Sequence, residues 1–195
     1  MTPHLKEVIE LKIKKIKAAL AAEKRKFGCY DDSRGLRYLP TTLYLKLQDY
    51  QGGLAYTRWF SKNFPDDAGF PDFLFEWTVI LFKNGNIREA ERKVLEAYFR
   101  NTYLFDKFFG RPIKKINKDE YSSFEMPEYV KYFKYSDKQS DLADFSIWLK
   151  EFEQSEKFKE ISKRFIYAQI RLKDEDDDEM RHYLVRIDKQ LLNEI

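Results

Sequence analysis

The chain is poor in the residues that build disulfides, metal centres and catalytic triads. Its 195 residues include one cysteine, Cys29, and two histidines, His4 and His182. One cysteine excludes an intramolecular disulfide and a multi-cysteine zinc cluster. The histidines lie near opposite ends of the chain, and nothing in the sequence pairs them. We therefore expect no metal and no cofactor, and we interpret Cys29 as a packing residue.

Long apolar segments and phosphate-binding loops are missing as well. The most apolar window, FLFEWTVILF, is ten residues long and is interrupted by Glu76, so it is too short to span a membrane. Lysines are spread through the apolar residues at the N-terminus, unlike in a signal peptide. The sequence also has no Gly-x-Ser-x-Gly motif and no glycine-rich phosphate loop. These absences predict a soluble, cytoplasmic protein that is not an enzyme.

Aromatic and charged residues are abundant. With 17 Phe and 13 Tyr the chain can bury enough apolar surface to fold. The 36 basic and 33 acidic residues nearly cancel, so the net charge of +3 does not by itself favour a polyanionic partner. The length fits a single domain, residues 1–195.

Helical spacing dominates the first half of the sequence. It predicts an N-terminal helix over residues 3 to 26, a second helical stretch over 33 to 48 that Pro40 interrupts, and a third helix over 50 to 63. A fourth helix begins near residue 71 and ends at Gly85, where glycine can take the left-handed conformation. Asn86 can cap the fifth helix, so the middle of the chain reads as helical hairpins.

The second half divides into a connection and a helical end. Residues 111–140 show little periodicity, and we expect a long, mobile connection there. Helical spacing returns in residues 141–195 and predicts three helices. No window shows sustained strand alternation. The fold class is therefore all-α, with residues 1–30 as the N-terminal helix and residues 31–110 as two hairpins.

The two hairpins repeat each other. A shift of 37 positions places Asp49 on Asn86, Gly53 on Ala90, and Lys46 on Lys83. Helix-turn-helix units of this period, with small residues where the paired helices cross, resemble tetratricopeptide repeats. The stretch DDSRGLRYLPTTLYLKL is similar to the first helix of a subgroup of that family. The resemblance covers residues 31–110 and implies a tetratricopeptide-like superhelix with flanking N- and C-terminal helices.

The resemblance further implies a non-catalytic scaffold that binds a protein or peptide on the concave face formed by the first helices of the repeats. The groove positions in this sequence are Tyr38, Thr42, Leu45, Lys46, Phe75, Val79, Phe82 and Lys83. The two lysines favour an acidic partner. Phenylalanine is so often buried that coverage of Phe75 and Phe82 by the protein's own helices is the better interpretation of these two residues.

An alternative function is binding of single-stranded nucleic acid by residues 98–138. That region mixes basic residues with aromatic residues, the mixture that stacks bases and follows phosphates. The aromatic residues are Tyr103, Phe105, Phe108, Phe109, Tyr121, Phe124 and Tyr132. The acidic run of residues 174–179 is interpreted as a solvated cap of the last helix, since carboxylates favour helix N-termini.

Overall fold

The computed structural model describes residues 1–30, 32–120 and 122–195. Within these ranges the chain is all-α: ten α-helices and three short 3-10 turns, with no strand. The helices are α1 (Pro3–Phe27), α2 (Leu39–Leu47), α3 (Tyr50–Asn63), α4 (Pro71–Lys83), α5 (Ile87–Arg100), α6 (Leu104–Phe108), α7 (Ala143–Gln154), α8 (Glu156–Lys173), α9 (Asp178–Val185) and α10 (Ile187–Leu192). None of the described helices combines the length and the apolar character needed to cross a membrane.

Two residues named above lie outside the described ranges. Asp31 begins the predicted hairpin region, and Tyr121 belongs to the aromatic set of the nucleic-acid alternative.

Helix α1 begins and ends where the local signals place it. The side chain of Thr2 accepts a hydrogen bond from the Leu5 amide at 3.4 Å, and Gly28 ends the helix in the left-handed conformation. One face of the helix is apolar and packs against α2 and α3. The buried members of this cluster are Ile9, Ile13, Ile16, Leu20, Leu43, Tyr44 and Tyr56.

Pro40 restarts the second helical stretch, as its missing amide predicts. The chain forms a 3-10 turn over Leu36–Tyr38, and α2 then starts with Pro40 in its first turn, where no hydrogen-bonding amide is needed. The predicted helix over 33 to 48 is therefore shorter than expected. Tyr38 therefore belongs to the 3-10 turn and not to α2, and its ring packs against Phe70 and Phe73 at the start of α4.

The paired helices stack in order. Helix α2 forms a hairpin with α3, and α4 forms one with α5; α2 packs against α4, and α4 packs against α7. Gly53 allows a close approach where α3 crosses α4, because a Cβ atom there would lie 2.9 Å from Cδ1 of Ile80, which would have to shift. Helices α7 and α8 make a third hairpin, and α8 packs against α5. This arrangement is compatible with a helical repeat.

The connection before the third hairpin differs from the expected mobile loop. Residues 111–140 contain a 3-10 turn over Pro127–Tyr132. The five-residue helix α6, which is too short to show periodicity, lies just before them, within the predicted hairpin region of residues 31–110. Val130 and Phe133 are buried against the core. We call residues 122–136 the covering segment, because they run along α4 and bury a face of it that would otherwise be exposed.

The C-terminal region has four helices where three were predicted. The last amphipathic stretch breaks at Arg186 into α9 and α10. Asp177 caps α9 by accepting a hydrogen bond from the Met180 amide at 2.7 Å, in agreement with the interpretation of the acidic run as a cap. Helix α10 packs on α5 and α8, the second helices of their hairpins.

Candidate partner-binding cleft

The first helices of the first two hairpins bring the predicted groove residues to facing positions. Thr42 and Lys46 belong to α2, and Tyr38 belongs to the 3-10 turn just before it. Phe75 and Val79 belong to α4. Phe75 and Val79 are completely buried, whereas the other three keep part of their surface exposed. The two sides of the predicted groove therefore differ in what a partner could reach.

The protein's own side chains cover Phe75. Its ring contacts the rings of Phe133 and Tyr135 in the covering segment, at centroid distances of 4.9 and 5.2 Å. Phe108 and Phe145 contact it from α6 and α7. A partner cannot contact this ring unless the covering segment moves, so the middle of the predicted groove is core in this structure.

Helix α7 covers the far end of the groove. The ring of Phe82 stacks on that of Trp148 at 4.9 Å. Nζ of Lys83 lies 2.5 Å from the Asp144 carboxylate, and only 14% of the Lys83 side chain is exposed. Lys46, by contrast, is exposed. Of the two lysines expected to attract an acidic partner, one is thus neutralised within the chain.

A cleft remains open between the start of α2 and the start of α4. Its volume is about 370 Å³. Residues lining it come from the loop before α2, from α2 itself and from the first two turns of α4. They are Ser33, Arg34, Gly35, Tyr38, Leu39, Thr42, Phe70, Asp72, Phe73 and Glu76. We refer to this opening as the α2–α4 cleft.

The carboxylate of Glu76 forms the floor of the α2–α4 cleft. It accepts hydrogen bonds from the hydroxyls of Thr41 at 2.5 Å, Thr42 at 2.7 Å and Tyr135 at 2.6 Å. Only 3% of the residue is exposed. Burial raises the pKa of Glu76 to about 7, and the three hydroxyl donors oppose this rise by stabilising the charged form.

Asp72 lies one helical turn before Glu76 and carries the second carboxylate of the cleft. It accepts a hydrogen bond from the hydroxyl of Tyr129 at 2.6 Å. Residues four apart on a helix share a face, so both carboxylates point to the same side of α4. Both also accept a hydrogen bond from a tyrosine of the covering segment, which therefore ties that segment to the acidic side chains of the cleft.

The aromatic end of the cleft is positioned by an ion-pair network. The hydroxyl of Tyr38 donates to the Asp67 carboxylate, and Arg37 donates to both Asp67 and Asp32. These bonds and the arginine charge hold the pKa of Asp67 below its usual value despite burial. The ring of Tyr38 packs against Phe70 at 4.3 Å. The hydrogen bonds of Arg37 and Tyr38 thus hold the Tyr38 ring in place as one wall of the cleft.

A larger concavity lies elsewhere, among the second helices of the hairpins. It has a volume of about 610 Å³ and is lined by the loop at residues 65–68, α5, α8 and the C-terminal helices. Its charged groups are largely engaged within the chain: Asp67 bonds Arg37, Glu96 bonds Lys93, and Arg100 donates to the Gly69 carbonyl.

The aromatic residues of the nucleic-acid alternative are mostly inside the protein. Tyr103, Phe105 and Phe108 are at most 2% exposed, while Tyr132 is 78% exposed. A buried ring cannot stack on a base, and stacking is a main source of affinity for single strands. In the part of the chain that the structure describes, the region offers basic side chains with little accessible aromatic surface.

Sequence reasoning missed the carboxylates of the cleft. Tyr38 and Thr42 were expected in the groove, but Asp72, Glu76 and Tyr135 were not. One signal was present: Glu76 interrupts the most apolar window of the chain, and a charged residue in such a window needs partners when it is buried. The partner Tyr135 is 59 residues away, beyond the reach of any local pattern.

Comparison with known proteins adds no relative. No protein-family model, no curated protein and no solved structure matches the chain.

Proposed function

We propose that this protein is a non-catalytic binding module of the tetratricopeptide-like kind, which takes a segment of a partner protein or a peptide in the α2–α4 cleft. The observation that carries the proposal is the cleft itself. It is the stretch of the predicted groove at which Tyr38 and Thr42 remain accessible. Its mixture of rings and a few convergent polar groups is typical of binding sites.

The stacking of the hairpins supports the family resemblance. Helices α2, α4 and α7 pack side by side, as do α5 and α8. Adjacent first helices create a concave face in repeat proteins of this kind, and such faces serve as binding surfaces. Here the covering segment shortens that face, which favours a ligand of a few residues over a long extended peptide.

The raised pKa of Glu76 does not require a catalytic role. Its carboxylate offers about four acceptor positions, and three are taken by hydroxyls of Thr41, Thr42 and Tyr135. Buried structural carboxylates acquire raised pKa values in the same way as catalytic ones. The hydroxyls tie α2, α4 and the covering segment together, so Glu76 also has a structural task.

A peptide-display selection against the full chain tests the proposal. The variant Leu39→Trp narrows the cleft at its exposed rim, and Ala55→Trp places the same side chain at an exposed position of α3 as the matched control. We expect enriched peptides to bind the wild type and Ala55→Trp equally and Leu39→Trp at least about tenfold more weakly. Selection without enrichment, or peptides indifferent to Leu39→Trp, would refute the cleft as the binding site.

A further inference from the structure

The α2–α4 cleft combines two carboxylates with aromatic rings. Asp72 and Glu76 line it together with Tyr38, Phe70 and Phe73. Phe73 is only 2% exposed, so Tyr38 and Phe70 are the rings that a ligand can reach. Anionic groups next to aromatic rings are the chemistry that recognises organic cations, because the ring faces also attract positive charge. We infer that the cleft takes a cationic side chain, arginine or lysine, of the bound segment; the inference rests on the proposed function and adds its chemistry.

The nearest arginines do not neutralise the carboxylates. Arg37 is engaged with Asp32 and Asp67, and its guanidinium lies over the Tyr38 ring, 4.4 Å from the ring centroid. Arg34 lines the rim of the cleft, but its guanidinium lies 3.8 Å from Glu23, and 72% of its side chain is exposed. The floor of the cleft therefore carries anionic groups without a cation of its own among the contacts described for it.

The geometry leaves acceptor capacity for a ligand. The three hydroxyl bonds to Glu76 leave one of its roughly four acceptor positions for a further donor. Asp72 is half-buried and receives one bond from Tyr129. A guanidinium has five donors in a planar fork and can serve two carboxylates at once. Arginine thus satisfies more of the site than lysine does.

The size of the cleft fits one such side chain with its neighbours. A volume of about 370 Å³ is near the lower end of ligand pockets, which span roughly 300 to 1,000 Å³. Leu39 and Phe70 at the rim provide apolar surface for the methylene groups of the side chain, which long cationic residues bury along apolar walls. A neutral aliphatic side chain could be buried in the cleft but would leave both carboxylates without a cationic partner.

Binding of a cation is coupled to the protonation of Glu76. Its pKa of about 7 means that the carboxyl is partly protonated near neutral pH, and a bound cation favours the charged form. The groups facing it are the hydroxyls of Thr41, Thr42 and Tyr135 and the carboxylate of Asp72. Burial and the Glu76 charge raise the pKa of Tyr135, so that hydroxyl does not ionise near neutral pH. Affinity should increase as the pH rises from about 6 to about 8.

The test uses two short acetylated and amidated peptides that differ at one position. One carries arginine between alanines and glycines, and the other carries citrulline, which keeps the shape and removes the charge. Each is titrated into the full-length, isotope-labelled protein while the backbone amide signals of Tyr38, Thr42 and Asp72 are followed by NMR. We expect the arginine peptide to shift these signals and the citrulline peptide to bind about tenfold more weakly or not at all.

Variants of the protein complete the test. Glu76→Gln and Asp72→Asn should each weaken the arginine peptide several-fold, and Glu76→Gln should also abolish the increase of affinity with pH. The control Glu151→Gln removes one exposed carboxylate of α7 outside the cleft and should change nothing. Asp72 is half-buried, so Asp72→Asn keeps the test valid even if a change at Glu76 disturbs folding.

The outcomes separate the inference from the proposed function. Equal binding of the arginine and citrulline peptides at the cleft overturns the cationic specificity and leaves the cleft as a binding site. Selected peptides that bind the cleft but contain neither arginine nor lysine likewise overturn the cationic specificity and leave the cleft as a binding site. If no peptide from the selection depends on Leu39 and the arginine peptide shifts no cleft signal, both ideas fail. Loss of arginine binding in Asp72→Asn at unchanged thermal stability supports the inference.

Discussion

Replacing Glu76 by glutamine should remove a pH dependence of stability that the wild-type chain carries on the acidic side of neutrality. The pKa of this buried carboxyl is about 7 in the folded chain, against an ordinary value of 4.5. Between these two values the folded chain holds a proton that the unfolded chain has released. The free energy of unfolding therefore falls as the pH rises through this range.

The size of the effect follows from the two pKa values. Each pKa unit corresponds to about 1.4 kcal/mol, so a rise from 4.5 to about 7 lowers the stability by roughly 3 kcal/mol between the two values. Below that range the carboxyl is protonated in both states, and above it both states are ionised, so the contribution is constant. A loss of this size is a large fraction of the 5–15 kcal/mol that stabilises a typical domain.

Glutamine is the appropriate replacement because it keeps the shape of the side chain and stays neutral. Its carbonyl oxygen can accept hydrogen bonds from the hydroxyls of Thr42 and Tyr135, and its amide can donate to the Thr41 oxygen, so no buried hydroxyl is left unpartnered. Alanine would leave all three hydroxyls unpartnered and would confuse the test.

Urea unfolding followed by tryptophan fluorescence, from about pH 5 to about pH 8, measures the effect. The difference in unfolding free energy between Glu76→Gln and wild type should change by roughly 3 kcal/mol in favour of the variant as the pH rises. Other titrating groups cancel in this difference. Glu151→Gln, at an exposed position, controls for the loss of one charge. Parallel pH profiles of wild type and Glu76→Gln would refute the protonation argument.

Three further changes test the packing and the ion pairs. Arg37→Ala should lower the unfolding free energy by about 2–4 kcal/mol, because two largely buried carboxylates lose their guanidinium; an unchanged urea midpoint would contradict this. Lys83→Glu should lower the melting temperature by a few degrees, since it replaces one partner of the ion pair to α7, whereas the exposed Lys46→Glu should leave it nearly unchanged. Gly53→Val should cost about 1–3 kcal/mol against Ile80, and a neutral result in thermal unfolding would disprove the close approach.

Helix boundaries were predictable because their signals are local. Asp49 directly precedes α3 and is of a residue type that favours helix N-caps; its side chain accepts a hydrogen bond from the Gly52 amide at 2.9 Å. Gly85 was expected to end α4 in the left-handed conformation, and its φ is 76°. Asn86 starts α5 as predicted, but its side chain donates to the Glu89 carboxylate and makes no capping bond to a backbone amide. The position at which α5 begins was therefore predictable, whereas the hydrogen bond made by the Asn86 side chain was not.

The covering segment was not predictable by the same reasoning. Phe133 and Tyr135 follow a 3-10 turn and stand in no helical period, so their burial leaves no pattern in the sequence. Periodicity shows which face of α4 is apolar, but not which part of the chain covers it. That is why the sequence favoured burial of Phe75 by the protein's own helices but could not identify the segment that covers it. A contact across about 60 residues decides between them in this structure.

Under the proposed function, the coverage of α4 would limit how tightly a partner binds. A stable protein–protein interface buries roughly 1,600 Å² of surface and involves many residues of each partner. The α2–α4 cleft, with a volume of about 370 Å³, has room for one side chain and its neighbours and so buries far less surface. A segment anchored at this point alone should exchange rapidly, because few contacts offset the loss of its translational and rotational freedom. Tighter binding then requires contacts outside the cleft, and the exposed face of α2 that leads to Lys46 is the adjoining surface on which a longer segment could make them. Affinity should therefore rise when a selected peptide is extended along that face, and Lys46→Glu should affect the extended peptide and spare the short one.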